Sequence, residues 1–328
     1  MKVAVIGIGC IAQVHIPSLL HCGQEIVALC DCEREKCEKA VQKYGLEKSR
    51  IYTDYIRMLD EVKPESVHVC TPHYLHAEMV CACLKRNINV ICEKPLAISL
   101  EQLGEIEKAV KESSATLGVC HQRRYEMVMQ EMKRCLAGDE ILTGNGNLCW
   151  SRNEAYYRSG EWRGTVAQEG GGVMINQALH TLDLLLWFMG MPSAVVANTA
   201  NNTLQGVIEV EDTASAIFYF DDGKRFVINA TNGCNYSFHV SLQFMSKTKN
   251  VTIVGETAIV NGEAQKIAGE NPFYGKAEWG VGHAKLIDHF YECLAKGEKF
   301  PIDFYEGQKV VRLILAMYES KSKKVEVK

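Results

Sequence analysis

The sequence predicts an α/β protein of two domains, in which a doubly wound parallel sheet is followed by an α+β domain with an open, mainly antiparallel sheet. Its 328 residues exceed what one hydrophobic core usually organises. Up to about residue 120, short apolar segments alternate with helical patterns, as expected for parallel strands with crossover helices. Beyond that point, alternating strands and hairpin turns predominate. We therefore expect one domain over residues 1–121 and a second over residues 122–328.

Composition and charge exclude several classes of protein. The 36 basic and 40 acidic side chains give a net charge of −4, which is not the electrostatic footprint of a nucleic-acid-binding protein. No apolar run approaches the roughly 18 residues of a membrane span, and the chain begins directly with a strand pattern, so we expect no signal peptide and a cytoplasmic location.

The 14 cysteines do not indicate a metal site or a disulfide framework. Many lie inside apolar runs, where cysteine behaves as a small hydrophobic residue. Cys30, Cys32 and Cys37, like Cys81 and Cys83, lack the paired C-x-x-C spacing of zinc knuckles. We expect reduced thiols and no bound metal.

The first domain is predicted to contain alternating strands and helices. The strands are Val3–Ile6, Ile26–Cys30, Ser66–Cys70, Ile88–Cys92 and Thr116–Cys120. The helices are Glu33–Tyr44, His73–Arg86 and Ser99–Ser113.

The first turn, Gly7-Ile8-Gly9-Cys10-Ile11-Ala12, is a G-x-G-x-x-A motif between a strand and a helix. Gly7 permits the tight turn, Gly9 lets the backbone approach a pyrophosphate, and the small Ala12 lets the helix pack against the strand. The backbone of Cys10 and Ile11 opens the helix, whose N-terminus attracts phosphate. The motif and its context predict a dinucleotide site of the Rossmann type.

An acid at the end of the second strand, Asp31, refines this prediction. A carboxylate there accepts hydrogen bonds from the ribose hydroxyls and repels a 2′-phosphate, so NAD is favoured over NADP. The neighbouring Arg34 weakens the predicted preference for NAD over NADP. Alternatively, Asp31 caps the helix Glu33–Tyr44.

Two further stretches lie at the carboxyl ends of predicted strands, where open parallel sheets bind ligands. Thr71 and Pro72 follow one strand, next to the expected nicotinamide position. His76 opens the next helix; it either hydrogen-bonds the cofactor or the carboxylate of Glu93, or has a structural role at the helix start.

The second stretch is Glu93-Lys94-Pro95, which follows the strand ending at Cys92. Pro95 biases Lys94 away from helical geometry, and a cis bond between them is possible. A charged pair at this position faces a cleft, unless it is a surface ion pair at an ordinary strand exit.

The second domain is predicted from helical and alternating patterns. Its helices are Arg123–Leu136, Val173–Gly190, Ala277–Ala295 and Tyr305–Ser320. Its strands include Ile141–Trp150, Thr213–Phe220 and Arg225–Thr231, with hairpin turns at 221–224 and 261–262. Helices must cover one sheet face, and the other face is a plausible subunit interface.

The helix Val173–Gly190 follows Gly170-Gly171-Gly172, which permits a close backbone approach, and ends at Gly190. Asn176, His180 and Asp183 form a polar stripe on this otherwise apolar helix. Because such a helix is buried, the stripe must meet polar partners or a cleft. It therefore contains candidate functional residues.

Together, the Gly7–Ala12 turn, the Thr71-Pro72…His76…Glu93-Lys94-Pro95 run and the Glu169-Gly-Gly-Gly…Asn176-Gln177-x-x-His180-x-x-Asp183 run resemble the glucose–fructose oxidoreductase/inositol dehydrogenase/MocA family. The resemblance covers nearly the whole chain. It implies a Rossmann domain, a C-terminal domain with an open antiparallel sheet, and NAD(P)-dependent oxidation or reduction of sugars, cyclitols or their derivatives. It also implies homodimers or homotetramers that pack through that sheet.

The resemblance assigns catalytic roles to Lys94, which would hold the reacting oxygen, and to His180, which would be the acid/base. Asn176 would hydrogen-bond the substrate, because the Asn-Gln-x-x-His sequence is similar to a branch of nucleotide-sugar and anhydrosugar oxidoreductases. Asp183 would orient the imidazole or bind substrate, or else has a structural role.

Other candidates follow from the same resemblance. Trp162 and Arg163 would approach the cofactor, and Arg124 and Tyr157 are substrate-binding candidates that could instead be structural. Glu93 would position Lys94 or bind the nicotinamide ribose.

We therefore predict an NAD(P)-dependent oxidoreductase that transfers a hydride between nicotinamide and a secondary alcohol or carbonyl of a sugar, cyclitol or nucleotide-sugar. One alternative is redox-initiated glycoside cleavage with bound NAD. Another is a non-catalytic, NAD-bound regulatory protein, against which the presence of Lys94 and His180 argues.

Overall fold

The computed structural model describes residues 1–267 and 281–327. The described residues form two compact units, one of residues 1–125 and 281–308 and the other of residues 126–267 and 309–327. Residues 281–308 thus group with the first unit, although the sequence analysis placed them in the second domain. The predicted helix Ala277–Ala295 begins outside the described residues.

The strands are β1 (Lys2–Ile6), β2 (Glu25–Cys30), β3 (Arg50–Tyr52), β4 (Ser66–Val69), β5 (Asn89–Cys92), β6 (Leu117–Val119), β7 (Ile141–Cys149), β8 (Ala194–Ala200), β9 (Thr213–Tyr219), β10 (Arg225–Thr231), β11 (Ser241–Ser246), β12 (Asn250–Val254), β13 (Thr257–Val260), β14 (Glu263–Ala264) and β15 (Val325–Glu326). The α-helices are α1 (Ala12–His21), α2 (Arg34–Tyr44), α3 (Tyr55–Val62), α4 (His76–Leu84), α5 (Leu100–Glu112), α6 (Met127–Cys135), α7 (Glu154–Tyr157), α8 (Val173–Asn176), α9 (Leu179–Met189), α10 (Gly282–Lys296) and α11 (Phe304–Ser320). Short 3-10 helices span His73–Leu75 and Gln122–Tyr125.

The first unit contains a parallel sheet in the order β3-β2-β1-β4-β5-β6, which is the Rossmann arrangement. This confirms the predicted doubly wound fold. The strand order reverses between β1 and β4, so the ligand crevice of this fold class lies at their carboxyl ends. Strand β3 and helix α3 were not predicted from the sequence.

Helix α10 belongs to the first unit because its apolar side chains are buried there. Leu286, Ile287 and Phe290 are fully buried. A Cβ at Gly118 in β6 would lie 2.9 Å from the ring of Phe290, so the glycine allows the helix to pack closely on this strand. Burial of these apolar side chains stabilises α10 in the first unit, although the helix comes late in the chain.

The second unit is built on one sheet in the order β14-β13-β12-β11-β7-β10-β9-β8-β15. Strands β7 and β10 pair in parallel and the other neighbours are antiparallel, which confirms a mixed, mainly antiparallel sheet. One face buries the rings of Phe218, Phe226 and Phe244. The opposite face exposes Ile217 and Val227.

The predicted helix Val173–Gly190 is two helices. The amide of Ala178 donates to the carbonyl of Val173 at 2.7 Å, an i to i−5 contact that interrupts the α-helical hydrogen-bond pattern after Asn176. Helix α9 then ends at Gly190, whose φ of 85° lies in the left-handed region, as the sequence predicted. None of the helices in the described chain has the length and apolarity needed to cross a bilayer.

Candidate active site

Gly7 brings two of the predicted cofactor-binding stretches into contact. Its φ is 87°, and a Cβ there would lie 2.7 Å from the carbonyl atoms of Cys70 and 2.9 Å from the side chain of Thr71. A larger residue would therefore collide with the end of β4. The first turn and the end of β4 meet at the switch point of the sheet.

The rest of the glycine-rich turn is open to a ligand. Gly9 and Cys10 are exposed, Ile11 is half-buried, and among the described residues no atom beyond its chain neighbours lies within 4 Å of a Cβ built on Gly9. Ala12 is buried where α1 packs on the sheet, and its N-cap residue Ile11 makes no side-chain capping hydrogen bond in the described part of the chain. This open turn before a helix N-terminus fits a pyrophosphate.

Asp31 is linked to the same turn. Its Oδ2 accepts a hydrogen bond from the amide of Ile8 at 2.7 Å, and its Oδ1 accepts one from the amide of Glu33 at 2.9 Å. Helix α2 has Glu33 as its N-cap, so the capping alternative for Asp31 is not observed. Oδ2, which accepts one hydrogen bond, keeps a lone pair for a ribose hydroxyl. Arg34 pairs with Glu38 on the surface.

Lys94 is half-buried at the carboxyl end of β5, and the Lys94-Pro95 peptide bond is cis. Its backbone amide donates to Oε2 of Glu93 at 3.1 Å. The proline and this hydrogen bond constrain the backbone from which the lysine side chain extends.

The carboxylate of Glu93 lies in the interior of the first unit, where the residue is 5% exposed. Its Oε1 accepts hydrogen bonds from Nε2 of His15 at 2.9 Å and from Nε2 of His283 at 3.3 Å. Burial alone would raise the pKa of Glu93, but these hydrogen bonds outweigh it and hold the pKa well below its usual range. Glu93 was predicted either to position Lys94 or to bind the nicotinamide ribose, and these contacts favour the first role.

A buried chain of side chains extends from Glu93. The Nδ1 atoms of His15 and His68 are 2.7 Å apart, and Nε2 of His68 lies 2.9 Å from the hydroxyl of Tyr291. Burial lowers the pKa of His68 well below its ordinary value. This network was not predicted from the sequence, because His68, His15 and Tyr291 come from β4, α1 and α10.

In the described chain, the ring nitrogens of His76 hydrogen-bond backbone carbonyls and not the carboxylate of Glu93. Its ring is fully buried, with Nδ1 2.7 Å from the carbonyl of Pro95 and Nε2 2.8 Å from the carbonyl of Thr71. The histidine therefore ties the end of β4 to the end of β5, which is the structural alternative. Thr71 and Pro72 remain half-buried at this edge.

Arg124 forms an ion pair with Glu306 at 2.9 Å and is 5% exposed. Arg124 was predicted either to bind substrate or to have a structural role, and this contact within the first unit favours the structural role.

His15, Glu93 and Cys120 also have ligand atoms of types that bind metals, all within 4.8 Å of one another. However, the carboxylate already accepts hydrogen bonds from two imidazoles. This arrangement satisfies Glu93 without an ion.

In the second unit, the glycines before α8 allow a close approach that other residues would block. A Cβ on Gly172 would lie 1.9 Å from the carbonyl oxygen of Glu211. The side chain of Glu211 accepts hydrogen bonds from the amides of Gly172 and Met174 and from the hydroxyl of Tyr318. Burial raises the pKa of Glu211. This role of Glu211 was not predicted from the sequence, where the signal for it is an acidic residue within a buried stretch.

Asn176 and His180 lie on either side of the break between α8 and α9. The amide of Asn176 donates to Oε1 of Glu169 and also contacts the hydroxyl of Tyr156 at 3.4 Å. His180 is half-buried in the first turn of α9, and Asp183 is buried one turn later.

Tyr157 lies in a hydrophobic cluster with Leu204, Ile208 and Val210. Its hydroxyl accepts a hydrogen bond from Asn232 at 3.0 Å, and burial raises its pKa. These contacts correspond to the structural alternative for Tyr157.

The neighbouring Tyr156 instead contacts two of the predicted site residues. Nη1 of Arg163 donates to the hydroxyl of Tyr156 at 2.6 Å, and its guanidinium lies 4.5 Å from the ring centres of both Tyr156 and Trp162. Tyr156 thus connects the Trp162-Arg163 pair to Asn176. The role of Tyr156 was not predicted from the sequence.

Two models of one protein family match the chain. The GFO/IDH/MocA model, an oxidoreductase family with an NAD-binding Rossmann fold, matches residues 1–121, and the model of the GFO/IDH/MocA C-terminal domain matches residues 130–261. Among curated relatives, myo-inositol 2-dehydrogenase of Thermotoga maritima is 23% identical over 340 positions, covering 100% of this chain and 98% of the relative.

Solved structures give the same result. The WlbA dehydrogenase from Bordetella pertussis, in complex with NADH and UDP-GlcNAcA, has a TM-score of 0.86 and 25% identity, covering 100% of this chain and 98% of its own. Levoglucosan dehydrogenase in complex with NADH and levoglucosan has a TM-score of 0.87 and 20% identity, covering 100% and 99%, which shows the shared fold.

The matches agree with the strand order, with the open glycine-rich turn and with the motifs from which the family was predicted. They confirm the predicted family, the predicted enzyme class and the predicted NAD cofactor. The chain belongs to the GFO/IDH/MocA family of NAD-binding oxidoreductases.

Proposed function

We propose that this oxidoreductase is a dehydrogenase that moves a hydride between NAD and a secondary alcohol or carbonyl carbon of a sugar, cyclitol or nucleotide-sugar. The observation that carries the proposal is the position of Lys94, at the carboxyl end of β5 in the same Rossmann sheet as the Gly7–Thr71 contact. The relatives that are named for myo-inositol and levoglucosan, and the structure with UDP-GlcNAcA, support this substrate class.

The turn Gly7–Ala12, Asp31, Thr71 and Pro72 would hold the cofactor. When bound, NAD supplies the nicotinamide that accepts or gives the hydride. The open turn receives the pyrophosphate, and the carboxylate of Asp31 accepts hydrogen bonds from ribose hydroxyls. Its negative charge repels the 2′-phosphate of NADP, so NAD is the preferred cofactor.

Lys94 would bind the reacting oxygen. As a hydroxyl is oxidised, its oxygen carries developing negative charge, and a nearby ammonium stabilises that charge. Glu93 positions the lysine through the hydrogen bond to its backbone amide. Its carboxylate contributes to this positioning and does not contact the substrate.

His180 would take the proton of the hydroxyl during oxidation and return it during reduction. An imidazole is suited to this role because its ordinary pKa is near neutrality. Asn176, whose amide is fixed by Glu169, hydrogen-bonds a substrate hydroxyl, and Asp183 orients the histidine or the substrate. Trp162 and Arg163 contact the cofactor.

We further propose that the protein is a cytoplasmic homo-oligomer that associates through the exposed face of its second sheet. Ile217 is 40% and Val227 is 37% exposed on that face, and covering such apolar side chains favours association. None of the 14 cysteines forms a disulfide, in keeping with a reducing compartment. Light scattering of the purified protein tests the oligomer.

The proposed reaction is tested with a panel of sugars, cyclitols and UDP-sugars, each incubated with NAD or NADP and followed by NADH absorbance. Reduction of NAD by at least one compound of these classes supports the proposal. Hydrolysis of a glycoside without net NADH would instead indicate redox-initiated cleavage. If NAD binds but no compound is oxidised, reduced or cleaved, the regulatory alternative replaces the dehydrogenase.

A further inference from the structure

Arg152 has no role in the reaction described above, yet the second unit holds its side chain in a defined place. It follows β7 directly, and its amide donates to the carbonyl of Asn232 at 3.2 Å. Its guanidinium lies 5.8 Å from the ring centre of Trp150 and 4.9 Å from that of Tyr156, both within the range of cation–π contacts. The aromatic rings therefore orient the positive charge.

A second guanidinium lies against the same ring. Arg163 is 4.5 Å from the centre of the Tyr156 ring and donates to its hydroxyl. The side-chain amides of Asn176 and Gln177 approach this hydroxyl oxygen at 3.4 and 3.3 Å. N–H donors and positive charge thus concentrate around Tyr156.

In the described chain, neither of these two guanidinium groups forms an ion pair with a carboxylate. Within residues 1–267 and 281–327, Nε of Arg152 is buried without a hydrogen-bond partner. Nη1 of Arg152 donates a hydrogen bond to the carbonyl of Ser151 at 2.9 Å. By contrast, Arg158 in the same segment pairs with Glu154 at 2.5 Å.

We infer that Arg152 recognises a negatively charged group of the substrate, so that the enzyme acts on a sugar carrying a carboxylate or a phosphate. This inference rests on the proposed dehydrogenase function. A guanidinium presents several donors to a carboxylate or phosphate, and the unused Nε donor of Arg152 needs such an acceptor. Tyr156 connects Arg152 to Asn176, the proposed substrate-binding amide. The pyrophosphate of NAD has its own binding turn before α1 and does not require Arg152.

The test compares kcat/KM for matched compounds: each neutral sugar with its uronate and its 1-phosphate, and each UDP-sugar with its UDP-uronate. The wild type should prefer an anionic member at least about tenfold, because hydrogen bonds to charged groups are among the stronger ones. The comparison with uronates tests recognition of a carboxylate, and the comparison with 1-phosphates tests recognition of a phosphate. Arg152→Gln should lower kcat/KM for the preferred anion by about 10- to 100-fold and leave the neutral sugar within about twofold.

Control variants separate charge recognition from structure. Arg152→Lys should retain part of the preference, and Arg158→Gln should leave it unchanged. The KM for NAD should be the same in all variants. The inference is overturned if neutral and anionic sugars are used equally, if Arg152→Gln lowers both equally, or if it raises the KM for NAD instead.

If no compound is turned over, the proposed function fails separately, and binding is measured directly by calorimetry with the uronates and sugar phosphates. Binding to the wild type that Arg152→Gln abolishes still supports an anion site. No binding to the wild type overturns it.

Discussion

Oε1 of Glu93 accepts a hydrogen bond from Nε2 of His15 at 2.9 Å, although the two residues are 78 positions apart in the sequence. Because a carboxylate can only accept, the proton of this contact is on the histidine. The other oxygen of Glu93 accepts from the backbone amide of Lys94. One buried carboxylate therefore joins a histidine of the first helix to the proposed catalytic lysine.

Glu93→Gln should destabilise the protein and slow the reaction. The change replaces the buried carboxylate that accepts hydrogen bonds from His15 and His283 with a neutral amide, and because hydrogen bonds to a charged group contribute about 1.5–3 kcal/mol, the loss of stability should be roughly 2–3 kcal/mol. Urea unfolding should show this loss, and kcat should fall while the KM for NAD changes little. Glu101→Gln, on the exposed first turn of α5, is the control and should change stability by less than about 0.5 kcal/mol. Equal stability of both variants would contradict the role of the network.

Acid should destabilise the protein through its buried histidines. Burial lowers the pKa of His68 well below 6.5 and also lowers the pKa of His283. Below about pH 6.5 the unfolded chain therefore binds protons that the folded chain does not, so the free energy of unfolding falls as the pH falls. The lowered pKa of Glu93 acts in the same direction below about pH 4.5.

The measurement for this prediction is the free energy of unfolding at several pH values between about 7.5 and 5.5, the range in which histidines titrate. His68→Gln should show a smaller pH dependence than the wild type. His21→Gln, a change at an exposed histidine, should retain the wild-type dependence. Identical slopes in all three proteins would show that the buried His68 does not contribute.

Asp31→Asn should weaken the preference for NAD over NADP. The amide keeps the size of the side chain but removes the charge that repels a 2′-phosphate, so the ratio of the two kcat/KM values should fall about tenfold. Glu35→Gln, in an exposed ion pair with Lys39, should leave the ratio unchanged. An unaltered ratio in Asp31→Asn would mean that another residue selects the cofactor.

Gly172→Ala should be strongly destabilising, because its Cβ would meet the carbonyl oxygen of Glu211. The loss should be roughly 2–4 kcal/mol or more in thermal or urea unfolding, as for other changes that force backbone to move. Gly104→Ala is the matched control, since the space around this helical glycine in α5 is open. That change should stabilise slightly, by about 0.5–1 kcal/mol. If Gly172→Ala were as stable as Gly104→Ala, the close approach would not matter.

Most of the helices and strands were predicted because each is indicated by residues within or next to the element itself. The Rossmann strands are buried apolar segments, α5 begins after Ser99, which caps it as a polar residue before an apolar repeat often does, and Gly190 ends α9. The three-residue strand β3 is too short for a periodic pattern. The break after Asn176 comes from one backbone contact that side-chain periodicity does not reveal.

Only those parts of the site that have a local signal in the sequence were predicted. Gly7 and Asp31 follow strands in sequence, so their shared edge could be inferred. His15, His68 and Tyr291 come from distant segments and contact one another only after folding. Neither a single motif nor the spacing of residues indicates such a network.

The proposed reaction uses Lys94 to stabilise the developing charge and His180 to transfer the proton, and a double-mutant cycle tests these two roles most directly. Lys94→Ala and His180→Ala should each lower kcat by about 10²- to 10⁴-fold with the NAD affinity retained. If the two residues act together in one step, the kcat of the double variant should be only slightly lower than the kcat of the slower single variant. Multiplication of the two losses would show independent roles, and unchanged turnover in either single variant would remove that residue from the mechanism.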